Sequence, residues 1–185
     1  MTFLQGAKVY LREVQIEDVN DDYYVWMNDW EINRYMETHF FPQGKETICA
    51  YAKEHIGKSS EPWWAICERE TDRHVGNIKL GPINYYHRTA DVSYFIGDKK
   101  CWGKGYGKEA LSLVTAFAFE VLNLEKIMAG AYAPNIASQK MLETTGFRCE
   151  ATFRKQVYFE GRRIDTYEFG LTREDYEAWK EGRRV

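Results

Sequence analysis

Three glycines within five residues, Gly103, Gly105 and Gly107, separate a strand-like run, Thr89–Ile96, from the strongest helical stripe in the chain. That stripe places Ala110, Leu111, Val114, Phe117, Ala118 and Val121 on one face at helical spacing. A helix mouth exposes unpaired N–H groups and the positive end of the helix dipole, and glycines let an anion reach the main chain without Cβ clashes. The segment therefore reads as a diphosphate cradle. It lacks G-x-x-x-x-G-K-[ST], so it is not the nucleoside-triphosphate loop. Its G-x-G-x-G spacing, after an antiparallel meander, also excludes the G-x-G-x-x-G dinucleotide fingerprint.

The other elements follow from periodicity. Residues 7–14 alternate as a strand, 17–30 and 44–56 carry helical spacing, and 63–68, 75–85 and 89–96 read as an antiparallel meander with turns at 70–73 and 86–88. The long helix runs to about residue 122. It is followed by strand 126–132, helix 136–145 stopped by Gly146, strand 147–159, a turn at Glu160-Gly161, strand 162–171 and a polar helix from Thr172 through Trp179. The order β-α-α-β-β-β-α-β-α-β-β-α is that of an α+β fold. No linker or repeat divides the chain, so a single domain over residues 1–185 is expected.

Hydrophobic residues make up 44% and charged residues 29%, with a net charge of −3, so no global positive field draws the chain to nucleic acid or anionic lipid. Cys49, Cys67, Cys101 and Cys149 are scattered, as are His39, His55, His74 and His87, which leaves no metal-binding spacing and predicts no metal. MTFLQGAKVY is not a signal peptide, and no apolar run approaches the ~18 residues of a membrane span. A cytoplasmic protein is expected.

Two motifs give the chain its resemblance to a known family. Trp102-Gly-Lys-Gly-Tyr-Gly107 is similar to [Q/R]-x-x-G-x-[G/A] except at its first position, and Asn135-Ile-Ala-Ser138 followed by Gly146-Phe147 is similar to N-x-x-[AS]…G-F. In that order and separation they resemble the GNAT superfamily of acetyl-CoA-dependent N-acetyltransferases. The leading Trp-Gly-x-Gly-Tyr is similar to the branch holding ribosomal-protein N-terminal acetyltransferases and several aminosugar and antibiotic acetyltransferases. The resemblance implies a central mixed, mostly antiparallel seven-stranded sheet flanked by helices, with strands 4 and 5 splayed.

It also implies acetyl-CoA as cosubstrate. The diphosphate would be bound by main-chain N–H groups of Gly103, Lys104, Gly105, Tyr106 and Gly107 beside Trp102, with the pantetheine arm along Phe95 and Ile96. Asn135 would contact the arm or only cap its helix, and Lys104, Lys108 and Lys140 would approach phosphates or remain solvated. By position Asp91 resembles the family's catalytic glutamate, and the alternative is an aspartate in a hairpin near Arg88. Relatives carry a tyrosine acid seven residues after the asparagine. Leu142 stands there, which leaves Ser138, Tyr132, Tyr106 or solvent. The resemblance places the acceptor site at the first two helices and the last hairpin, with Trp26, Tyr35 and Trp64 as candidates among the aromatic residues and Asp21, Asp22, Asp29 and Glu31 to attract a cation.

The implied activity is direct transfer of an acetyl group to a primary amine, either of a small molecule such as an aminosugar or antibiotic or of a protein N-terminus. A catalytically silent CoA-binding regulatory protein of the same fold is the alternative. The assembly state is open, with a homodimer among the choices.

Overall fold

Alternation of apolar and polar residues sets the strands, and every strand expected from it is present in the computed structural model, which describes residues 3–182. The strands are β1 (Leu4–Gln5), β2 (Val9–Glu13), β3 (Trp63–Glu68), β4 (His74–Leu80), β5 (Thr89–Ile96), β6 (Lys126–Tyr132), β7 (Arg148–Phe159) and β8 (Arg162–Thr172). The helices are α1 (Asp21–Asn28), α2 (Trp30–Asn33), α3 (Lys45–His55), α4 (Tyr106–Ala116), α5 (Ile136–Thr144) and α6 (Arg173–Gly182). They form an α+β fold with a mixed sheet of strand order β1-β2-β3-β4-β5-β6-β8-β7. The sheet has eight strands rather than the expected seven, because Leu4–Gln5 folds back antiparallel on β2.

Three boundaries depart from the periodic reading for local reasons. The first helical stretch breaks into a 3₁₀ turn, Ile16–Asp18, followed by α1 and α2. Asn20 accepts from the Tyr23 N–H, and Asp29, in an extended conformation, accepts from the Glu31 N–H, so each starts a new helix. Strand β4 stops at Leu80 because Pro82 has no N–H to extend a ladder. Helix α4 begins at Tyr106 and passes into a π turn at Phe117–Val121.

The chain clusters into two compact units, whose boundaries run through β5 and α4. One comprises the residues up to Pro82 with Tyr94–Val114, and the other comprises Ile83–Ser93 with the residues from Thr115 onward. In the first, Val14, Tyr23, Trp26, Met27, Ile48, Ala52 and Trp63 form a buried core. The Trp26 indole occupies the place a side chain at Gly97 would take, since a Cβ there would lie 2.1 Å from Trp26 Cδ2. In the second, Phe119 stacks on Tyr176 at 4.9 Å between ring centroids, and Arg173 donates to the carbonyls of Phe119 and Leu124 at 3.0 and 2.6 Å. Among the described residues no helix is long and apolar enough to cross a membrane.

An ion-pair network sits in the first unit. Arg12 grips Asp18 with two bonds of 2.6 Å, and His74 Nδ1 lies 3.7 Å from the same carboxylate. Burial alone would raise the Asp18 pKa, but the Arg12 fork and the Gln15 N–H outweigh it and hold the carboxyl below its ordinary range. Burial also depresses the His74 pKa against the attraction of Asp18. Both groups have native pKa values below their unfolded ones, so their stabilisation is complete above the unfolded His value and is lost on acidification. Urea midpoints should therefore fall from about pH 6.5 downward, through His74 first and Asp18 later, and His74→Gln should flatten the upper part of that fall.

Candidate active site

After Ile96 the chain turns at Asp98, whose carboxylate accepts from the Lys100 N–H at 2.9 Å and starts the 3₁₀ turn Lys99–Cys101. It then passes through Gly103 and Gly105 into α4. These two residues have φ of 73° and 85°, a left-handed region that a side chain would strain. The first intrahelical bond runs from the Glu109 N–H to the Gly105 carbonyl at 3.0 Å, so the N–H groups of Gly105, Tyr106, Gly107 and Lys108 have no partner within the helix. A Cβ at Gly103 would meet nothing within 4 Å, and one at Gly105 only Lys8 Nζ at 3.5 Å. The space before these glycines is open, and the residues fit a diphosphate. Lys104 differs from expectation. Its N–H turns back to the Cys101 carbonyl at 3.4 Å, so its free asset is the ammonium, 5.8 Å from the Tyr106 ring centroid.

The loop is tied down from below. The buried Tyr106 hydroxyl donates to Glu68, which also accepts from the Thr71 hydroxyl at 2.6 Å. Hydrogen bonding to Glu68, with burial, pushes the Tyr106 pKa up to about 12, while the bonds from Thr71 and Tyr106 lower that of Glu68. The Tyr106 hydroxyl is thus engaged in holding the loop to the end of β3. Arg73 joins the far side of the network to Asp98 at 2.6 Å. Cys101 is buried and its thiol pKa is raised by desolvation, so it stays protonated and is a poor nucleophile.

Strand β5 pairs in parallel with β6 at Thr89–Lys126, Ala90–Ile127 and Asp91–Met128, and among the described residues this ladder goes no further although both strands continue. Toward its end the Phe95 carbonyl faces Gly76 of β4, and the Phe95 ring packs on Tyr23 and Trp26 at 6.1 and 6.4 Å between centroids. Strand alternation then directs the main-chain groups of Tyr94 and Ile96 to the opposite edge. Of the two residues expected to line an extended arm, Ile96 presents its main chain to that edge, and the Phe95 ring packs against the core. The Ile96 carbonyl accepts from the exposed Trp102 indole N–H at 2.8 Å.

Asp91 faces outward on β5, and desolvation nevertheless raises its carboxyl pKa. Register puts Lys126 and Met128 of β6 and Gly170 and Glu168 of β8 on the same sheet face. The Glu150 carboxylate lies over Gly170, where a Cβ would come within 2.3 Å of it, and accepts from Lys126 at 2.5 Å. Among the described residues Lys126 is thus ion-paired to Glu150 alone, while Asp91 and Glu168 lie on the same face. Glu168 is raised first by burial and then by Asp91 and Glu150.

The remaining candidates divide. Asn135 caps α5, accepting from the Ser138 N–H at 3.2 Å, which puts Ser138 in the first helical turn and Lys140 on its exposed face. Leu142 is fully buried. Trp26 and Trp64 are corrections, being 8% and 4% exposed. Trp26 fills the core and Trp64 stacks on Phe3 at 6.1 Å, so neither offers a substrate surface. Tyr35 is half-buried under the Arg34 guanidinium at 4.7 Å. Instead a cavity of about 250 Å³ opens among Trp30, Asn33, His39, Phe40 and Phe41. The acidic residues nearby are already engaged: Asp21 with Lys45 at 2.5 Å, and Asp29 and Glu31 with Lys99 at 2.7 and 2.5 Å.

A family model for the Acetyltransferase (GNAT) domain matches residues 8–148. The chain belongs to the GNAT acetyltransferase family. The uncharacterized N-acetyltransferase p20 of Bacillus licheniformis is 28% identical over 180 residues, covering 95% of this chain and 99% of its own. A Bacillus subtilis relative whose name points to ribosomal N-acetylation is 30% identical over 105 residues, 57% of each chain. Among solved structures, spermidine N-acetyltransferase from Vibrio cholerae, in complex with CoA and spermine, superposes with a TM-score of 0.83 at 21% identity, covering 93% of this chain and 99% of that one. GNAT membership makes this an acetyl-CoA-dependent acyltransferase.

Periodicity and motifs did not reveal Glu68, Glu150 and Glu168, and alternation along β8 was the signal available for Glu168. Because Tyr106 anchors the loop, Tyr106→Phe should weaken CoA binding about two- to tenfold, the worth of one such bond, as read by calorimetric titration.

Proposed function

We propose that this GNAT domain transfers the acetyl group of acetyl-CoA by direct attack to the primary amine of a small cationic molecule. The open glycine loop at the mouth of α4 carries this reading. We assign the diphosphate to the N–H groups of Gly103, Gly105, Tyr106 and Gly107, with Lys104 and Lys108 near it, and an extended arm to the β5 edge at Ile96. Lys140 is assigned to the phosphates and the Asn135 side-chain amide to the amides of the pantetheine arm, as the family resemblance implies. When bound, the cosubstrate supplies an activated thioester.

An alkylammonium must lose its proton before it can attack, and with a pKa near 10 this costs about 4 kcal/mol at pH 7. Asp91 is assigned as the base. Its raised pKa brings it closer to the amine and makes it a better acceptor than an ordinary aspartate. Excess negative charge from Asp91, Glu150 and Glu168 on one sheet face supports a cationic acceptor, as does the polyamine named for the Vibrio cholerae neighbour. With Leu142 in the core, Ser138 is the hydroxyl assigned to return a proton to the departing sulfur. A thiolate of pKa near 8.5 leaves tolerably without a stronger acid.

A thiol-release assay with acetyl-CoA and an amine panel containing spermidine, an aminoglycoside and a peptide N-terminus tests this proposal. Release with a small polycation is expected, whereas CoA binding without release across the panel would support a silent binding protein. Gly105→Glu should abolish CoA binding by placing a side chain and a negative charge in the cradle. Asp91→Asn should depress kcat/KM most at low pH, and an unchanged pH–rate profile would remove Asp91 from the mechanism.

A further inference from the structure

The turn between β1 and β2 reaches the glycine loop from far away in sequence, and its position is unusually well determined. The Glu109 carboxylate, one turn into α4, accepts from the consecutive N–H groups of Ala7, Lys8 and Val9, each at 2.8 Å. The same turn is held from its other side, where Arg69 donates its N–H to the Lys8 carbonyl at 3.0 Å and its guanidinium to the Gly6 carbonyl at 2.9 Å. Gly6 permits this closeness, since a Cβ there would lie 2.6 Å from the Glu109 carboxyl carbon.

From this fixed backbone the Lys8 side chain extends over the loop. Its ammonium donates to the Lys104 carbonyl at 2.9 Å and stands 3.5 Å from where a Cβ on Gly105 would be. One of its three protons is thereby used and two remain for a ligand. Glu109, the carboxylate nearest in sequence to the cradle, has its oxygens filled by main-chain donors, so Lys8 does not need to neutralise it.

We propose that Lys8 is a diphosphate-binding residue of the cofactor site, delivered by the β1–β2 turn and positioned by Glu109. This rests on the glycine loop being the CoA cradle. Lys8 supplies the mobile charge that the rigid loop amides lack, and its bond to Lys104 pre-places that charge in the absence of ligand. The pairing is a charge-assisted bond to a phosphate oxygen.

The test measures affinities of wild type, Lys8→Met and Lys8→Arg for CoA, dephospho-CoA and pantetheine, with thermal melting of each protein as a fold check. Lys8→Met should bind CoA and dephospho-CoA about tenfold more weakly, as expected for loss of one charge-assisted bond, and pantetheine unchanged. Lys8→Arg should restore most of the affinity. An equal loss for pantetheine would mean that Lys8 only shapes the loop, and a loss confined to CoA would move the contact to the 3′-phosphate; either result overturns the proposal. Equal CoA affinity in wild type and Lys8→Met would overturn it too. Failure of the wild type to bind CoA would instead bring down the cradle reading itself.

Discussion

One carboxylate, Glu109, bears on the whole glycine loop and the strands beside it. It lies in the first turn of α4, where the helix dipole favours a negative side chain. A bare carboxylate beside a helix mouth would also repel any anion that the mouth is built to receive. Here three main-chain N–H groups saturate it, which converts a potential repulsion into a clamp on the β1–β2 turn. The helix and the first strand pair therefore hold each other in place, and the glycines between β5 and α4 keep their open conformation with few contacts of their own.

A second layer of support comes from polar groups at strand ends. Glu68 ends β3, and Arg73 precedes β4. Together with Asp98 and Tyr106 they join the underside of the loop to the sheet through short bonds. Such a network is effective where its members are shielded from water, because the cost of leaving any one unsatisfied is then high. Rigidity below and openness above is the arrangement a main-chain anion cradle needs, since binding then orders little that was not already ordered.

Much of this was legible in the residues. The spans Trp63–Glu68, Thr89–Ile96 and Lys126–Tyr132 were read to the residue because their apolar pattern is uninterrupted and bounded by turn formers. The motifs around Gly103–Gly107 and Asn135–Gly146 located a loop before α4 and the cap of α5 because each has a local backbone requirement that glycine or a capping asparagine meets. Aromatic residues were legible only as bulk. Trp26 and Trp64 were pocket candidates although aromatic residues at such spacing are more often core, and core is where Gly97 leaves room for one indole and Phe3 covers the other. Contacts across a hundred residues, such as Glu109 with Ala7–Val9, leave no periodic trace at all. They depend on register between elements, which one sequence does not encode locally.

The indole of Trp102 has a consequence for what the open edge of β5 can recognise. It engages one lone pair of the Ile96 carbonyl, which weakens the acceptor at that rung relative to the N–H. A carbonyl oxygen is therefore the better answer at that point than an N–H. Trp102 thus gives that rung of the strand a donor-rich polarity that its neighbours along the edge do not share.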